Sequence, residues 1–105
     1  MLREKISMNP IFIEVITSPN CPHSPKAMKV AKQLVSTCKF PVVLHEESIL
    51  SEEGQLRMYE FQIDSTPAIL VNGRVAFVGV PTIDELREIV FKVKEEEVER
   101  TNYFF

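Results

Sequence analysis

Thr17-Ser18-Pro19-Asn20-Cys21-Pro22-His23-Ser24-Pro25-Lys26 is the stretch on which the reading of this chain turns. The run Ile11-Phe12-Ile13-Glu14-Val15-Ile16 ends just before it and has the length and the β-branched, aromatic make-up of a strand. Its apolar residues fall on both faces, which predicts a central strand covered on both sides. After the stretch the period changes. Ala27, Met28, Val30, Ala31, Leu34 and Val35 recur at spacings of three and four, with Lys26, Lys29 and Lys32 opposite them. That pattern is an amphipathic helix of about three turns. Pro22 suits the first turn of such a helix, where its missing N–H has no intrahelical partner. A cysteine therefore stands where a strand hands over to a helix N-terminus, a setting that stabilises negative charge and so a thiolate. Position 24 is serine, so no second thiol follows at Cys-x-x-Cys spacing.

Working outward, residues 1–9 have no clear period and read as a lead segment. Thr37-Cys38-Lys39-Phe40-Pro41 ends the helix, and Val42-Val43-Leu44-His45 is a second strand. Strand, helix and strand make a crossover, which implies parallel pairing. Ser51 opens a second helix with Leu56, Met58, Tyr59 and Ile63 as its apolar positions. Pro67–Val71 and Arg74–Val78 are strands joined by Asn72-Gly73, a pair that tolerates the positive φ of a tight hairpin. Gly79 and Pro81 stop the second of these strands. Thr82 with Glu85 forms a capping box for a last helix, whose stripe is Leu86, Ile89, Val90 and Val93. Glu95-Glu96-Glu97 reads as a solvated end, and residues 99–105 as an aromatic tail. Residues 10–98 are then one α/β domain of three layers, in the order β-α-β-α-β-β-α.

Bulk properties narrow the function. The chain has 105 residues, of which 45% are hydrophobic and 26% charged, enough for a single globular core without a metal or disulfide scaffold. A net charge of −3 argues against nucleic acid or an anionic membrane as partner. Two cysteines are too few for a secreted disulfide framework and fit a reducing cytoplasm. The first residues lack a signal-like apolar core, and no stretch approaches the roughly 20 apolar residues of a membrane helix.

The element order, Thr17-Ser18-Pro19-Asn20-Cys21-Pro22-His23, Ser65-Thr66-Pro67-Ala68-Ile69-Leu70-Val71-Asn72-Gly73 and Phe77-Val78-Gly79-Val80-Pro81 together resemble the thioredoxin/glutaredoxin superfamily. The likeness is strongest to the small glutaredoxin-like thioredoxins of archaea and bacteria, and it covers about residues 10–95. It implies a thioredoxin fold: a four-stranded mixed sheet in the order 2-1-3-4, with the first and third helices on one face and the second on the other. It implies that Cys21 is a nucleophile for thiol–disulfide exchange. It also implies that Pro67 is cis and lies against Cys21, while Ser65 and Thr66 present backbone to an extended substrate. The expected partners are a protein disulfide or a glutathione-like thiol, with a reductase or small thiol as electron donor. No cofactor is expected beyond glutathione as a co-substrate.

Ser24 is the departure from the family pattern, since that position holds the resolving thiol in dithiol members. Three readings follow: a monothiol enzyme resolved by an external thiol, a binding module without turnover, or a dithiol enzyme whose resolving cysteine was replaced. In each, the Ser24 hydroxyl is able to donate a hydrogen bond to the Cys21 thiolate. Cys38 is a poor substitute, because an intervening helix would hold it roughly 20 Å away. His23 is read as tuning the thiol, and His45 as structural. Glu14 is read as a carboxylate near the open end of the strand, with a proton relay near the site as the alternative if it is buried. The lysine stripe reads as a solvated helix face, with steering of an anionic partner such as glutathione as the alternative. Val78-Gly79-Val80-Pro81-Thr82-Ile83-Asp84 lacks the Gly-Gly pair of glutathione-binding glutaredoxins, which weakens that specificity. A metal site made from two Cys and two His scattered along the chain is poorly supported.

Overall fold

The computed structural model describes residues 9–103. The elements are β1 (Ile11–Thr17), α1 (Ser24–Thr37), β2 (Val42–Ser48), α2 (Glu52–Glu60), β3 (Ala68–Val71), β4 (Arg74–Val78) and α3 (Ile83–Tyr103). They form one sheet in the order β2-β1-β3-β4, with β1 and β2 parallel and the other two pairs antiparallel. This is the α/β thioredoxin architecture, with helices on both faces of the sheet.

The two faces follow from strand alternation. Ile11, Ile13 and Val15 of β1 pack with Ala27, Ala31 and Leu34 of α1 and with Leu86 and Val90 of α3. Ile16, Ala68 and Leu70 face the other way and meet Ile63, Met58 and Phe61. Ile16 and the four residues of β3 are buried, as a central position requires. The hairpin turn has positive φ at both Asn72 and Gly73 (49° and 78°), and the Asn72 Oδ1 accepts a bond from the Phe12 N–H at 2.8 Å. The capping box also forms, with Thr82 N–H donating to Glu85 and Glu85 N–H to Thr82 Oγ1.

Several boundaries differ from those the sequence predicts. β2 runs on through Glu46, Glu47 and Ser48, so His45 is in mid-strand. In α2 the buried position is Gly54, while Leu56 and Tyr59 point outward, 54% and 85% exposed. The Ser51 cap fixes the rotation of this nine-residue helix, and its inward line then runs through 54, 57/58 and 61. The last helix continues to Tyr103, through the end drawn at 98. Buried Lys94 joins its stripe beside Val93; its Nζ donates to the Asn9 carbonyl at 3.0 Å and to Glu97 at 3.1 Å, above the Phe40 ring. Most of the lead segment and the last two residues of the tail lie outside the described residues.

Candidate active site

Cys21 occupies a turn between β1 and α1. Its N–H donates to the Ser18 carbonyl at 3.1 Å, and its carbonyl accepts from the Ser24 N–H at 3.2 Å. His23 is the N-cap of α1, and Pro25, not Pro22, takes the first helical turn. Pro22 is thus part of the turn that carries Cys21, one step ahead of the helix. The reason lies in the Cys21–Ser24 bond, which closes a turn over Pro22 and His23 before the helix begins.

Ser24 is buried, and its Oγ accepts a bond from the Ser18 N–H at 3.1 Å. That leaves its proton free for Cys21. The Thr66–Pro67 peptide bond is cis, Pro67 is buried, and the Thr66 carbonyl stands 3.4 Å from Cys21 Sγ as acceptor for the neutral thiol. Hydrogen bonding brings the Cys21 pKa down to about 7. The Ser24 hydroxyl contributes most, then the Thr66 side-chain hydroxyl, with the His23 and Ser24 N–H groups adding to it and partial burial opposing them. Donors to the thiolate favour the charged form. His23 therefore acts on the thiol through its backbone; its imidazole is exposed and does not cap the helix. Ser65 is exposed at the rim. The Pro67 carbonyl accepts from the Gly79 N–H at 2.7 Å, tying the segment after β4 to the site.

A cleft of about 450 Å³ runs from Cys21 and Ser24 along Met28, Lys29 and Lys32, with Glu46 on its far wall. The Glu46 carboxylate accepts from the Thr17 hydroxyl at 2.8 Å. Lys26 does not line this cleft. Cys38 follows the opposite end of the 14-residue α1 and is a free thiol, as is Cys21. Glu14 is not at the site. It faces α2, where its carboxylate accepts from Arg57 Nε at 3.1 Å, so the alternative of a proton relay has no geometric basis. The carboxyl that burial does perturb is Glu47, pushed up to about 7 by desolvation and then by the nearby Glu14. Sequence reasoning missed it by ending β2 at His45. It also missed Ser18, whose backbone N–H holds the Ser24 hydroxyl; only its place three residues before Cys21 hinted at that.

A family model described as a thioredoxin domain matches residues 11–91. The chain is 35% identical to a thioredoxin of Methanocaldococcus jannaschii over 81% of this chain and 98% of that one. It is 32% identical to a probable thioredoxin of Archaeoglobus fulgidus, over 80% of this chain and 90% of that one. Among solved structures, a protein disulfide oxidoreductase from Aeropyrum pernix superposes with a TM-score of 0.71 at 27% identity, over 89% of this chain and 40% of that longer one.

Proposed function

Because this chain belongs to the thioredoxin family, we propose that it is a thiol–disulfide oxidoreductase that works through one nucleophile, Cys21. The observation that carries this reading is the Cys21 sulfur, held against Thr66 at 3.4 Å and brought to a pKa of about 7 by neighbouring donors. Near neutral pH about half of such a thiol is thiolate, the form that attacks disulfides.

In the proposed reaction the Cys21 thiolate attacks one sulfur of a disulfide. A Cys21–substrate disulfide forms, and the other half of the substrate leaves as a thiolate. An external thiolate then attacks the substrate-side sulfur. It forms a new disulfide with that half and returns Cys21 as a thiolate. Hydrogen bonds from the Ser24 and Thr66 hydroxyls stabilise that leaving thiolate, which speeds the release step. Ser65, Thr66 and Pro67 form the edge beside which an extended substrate lies, and Pro22 and His23 shape the other side. The substrate is a protein disulfide or a small disulfide, and the electrons come from a reductase or a small thiol. The reaction needs no bound cofactor. No helix among the described residues is long and apolar enough to cross a membrane. The cytoplasm supplies the reducing thiols this scheme requires.

Turnover of a model disulfide with glutathione or a dithiol as resolving reagent tests the scheme. Cys21→Ser should abolish turnover and Cys38→Ser should preserve it. Ser24→Cys should raise turnover of the disulfide substrate with a dithiol as reductant, by restoring an internal leaving path. Mixed disulfides that form at Cys21 but are never released by either reagent would favour a binding module instead.

A further inference from the structure

We propose that His45, Glu47 and Glu53 form a binding site for one first-row divalent cation of the Zn²⁺ type, bridging β2 and the first turn of α2. His45 and Glu47 are two apart on β2 and so share a face. The tight connection at Ser48–Ser51 brings Glu53 over them. His45 Nε2 lies 3.1 Å from Glu53 Oε1 and 3.8 Å from Glu47 Oε2. The three ligand atoms all lie within 4.8 Å of one another. Metal–ligand bonds of about 2.0–2.2 Å set two ligands of a tetrahedral ion roughly 3.4 Å apart, so the observed separations need only small side-chain adjustments. His45 and Glu53 are 55% and 57% exposed and free to make them.

A histidine beside carboxylates is by itself an ordinary surface ion pair. What sets this cluster apart is Glu47. Its side chain is 1% exposed, and its Oε1 accepts no hydrogen bond. The nearest cation to that oxygen, Arg57 Nε, is 4.0 Å away and is already bonded to Glu14 at 3.1 Å. A buried carboxylate without a full complement of donors is costly. A cation held beside this carboxylate would offset its buried charge. Glu14, Glu47 and Glu53 surround the position, with Arg57 as the opposing full charge.

The donor set indicates which ion fits. One imidazole and two carboxylates match Zn²⁺ and its neighbours better than Ca²⁺ or Mg²⁺, which take oxygen alone. The three residues also line an open cleft of about 830 Å³ with room for water to complete the coordination. Neither cysteine lines it, so the site is separate from the redox centre and does not depend on the functional reading above.

The test is calorimetric titration of Zn²⁺ into the untagged, chelator-stripped full chain, with Co²⁺ absorption as a second probe. We expect one equivalent of Zn²⁺ to bind and to raise the Tm. Co²⁺ should give d–d bands without a sulfur-to-metal charge-transfer band. His45→Ala and Glu53→Gln, both at exposed positions, should each weaken binding about tenfold or more, and Cys21→Ser should leave it unchanged. The proposal is overturned by the absence of binding, by affinity that survives both His45→Ala and Glu53→Gln, or by binding that disappears with Cys21→Ser.

Discussion

Ser24 uses its hydroxyl twice. Its oxygen accepts the Ser18 N–H at 3.1 Å, and its proton is the largest influence on Cys21. A residue that looks like the loss of a second thiol thus prepares the first. The sign of the pH effect follows. A pKa lowered to about 7 means that the reactive thiolate grows in as pH rises through 7 and is nearly complete a unit or two above. Alkylation rates measured against pH should therefore show a Cys21 midpoint near 7, well below the ~8.5 of a free thiol. Ser24→Ala removes the leading donor, so its midpoint should move upward. An unchanged midpoint in Ser24→Ala would assign the shift to the backbone instead. Cys38→Ser supplies the background for this measurement, since it leaves a single thiol.

Helix α2 shows how one small residue sets an element. Alanine normally favours a helix interior over glycine by about 1 kcal/mol. At Gly54 that preference should reverse, because an added Cβ would overlap the Ser48 carbonyl at the end of β2. Gly54→Ala should destabilise the chain by about 1–3 kcal/mol, as overpacking does, read as a lower midpoint in denaturant unfolding. A gain in stability would mean that α2 can move away from β2. The close approach also explains why Leu56 and Tyr59 face outward. With Gly54 against the strand, Arg57 and Met58 follow it inward, and Arg57 reaches Glu14. The hydrophobic spacing of 56, 59 and 63 predicts a different rotation. It lacks the information that backbone contact at 54, rather than an apolar stripe, seats this helix.

Across the whole molecule, the sheet separates two cores. Leu34 is fully buried in the one shared by α1 and α3, and Leu70 in the one beneath α2. Either residue changed to alanine should cost about 2–5 kcal/mol. Since the two lie in clusters on opposite faces, the double variant should lose the sum to within about 0.5 kcal/mol. A large departure from the sum would mean that the sheet transmits packing changes between its faces. The same division places the chemistry. The redox turn sits at the end of β1 that leads into α1, while the carboxylate and histidine cluster lies on the α2 face.

The elements that short-range forces decide are legible in the chain's adjacent residues. The Asn72-Gly73 turn, the Thr82–Glu85 box and the Ser51 cap each join residues within three positions, so their chemistry is written in adjacent letters. The strand and helix periods of β1 and α1 are equally local. The resemblance of three spaced motifs then supplied the strand order. Contacts between residues far apart in the chain are a different matter. The folded chain brings Arg57 to Glu14, 43 positions away, and it realises the meeting of Thr66 with Cys21, 45 away, that the family resemblance implied. It carries β2 past His45 to bury Glu47, and it turns α2 on Gly54. Such contacts depend on register and on the exact approach of backbones, which no run of neighbouring residues encodes alone.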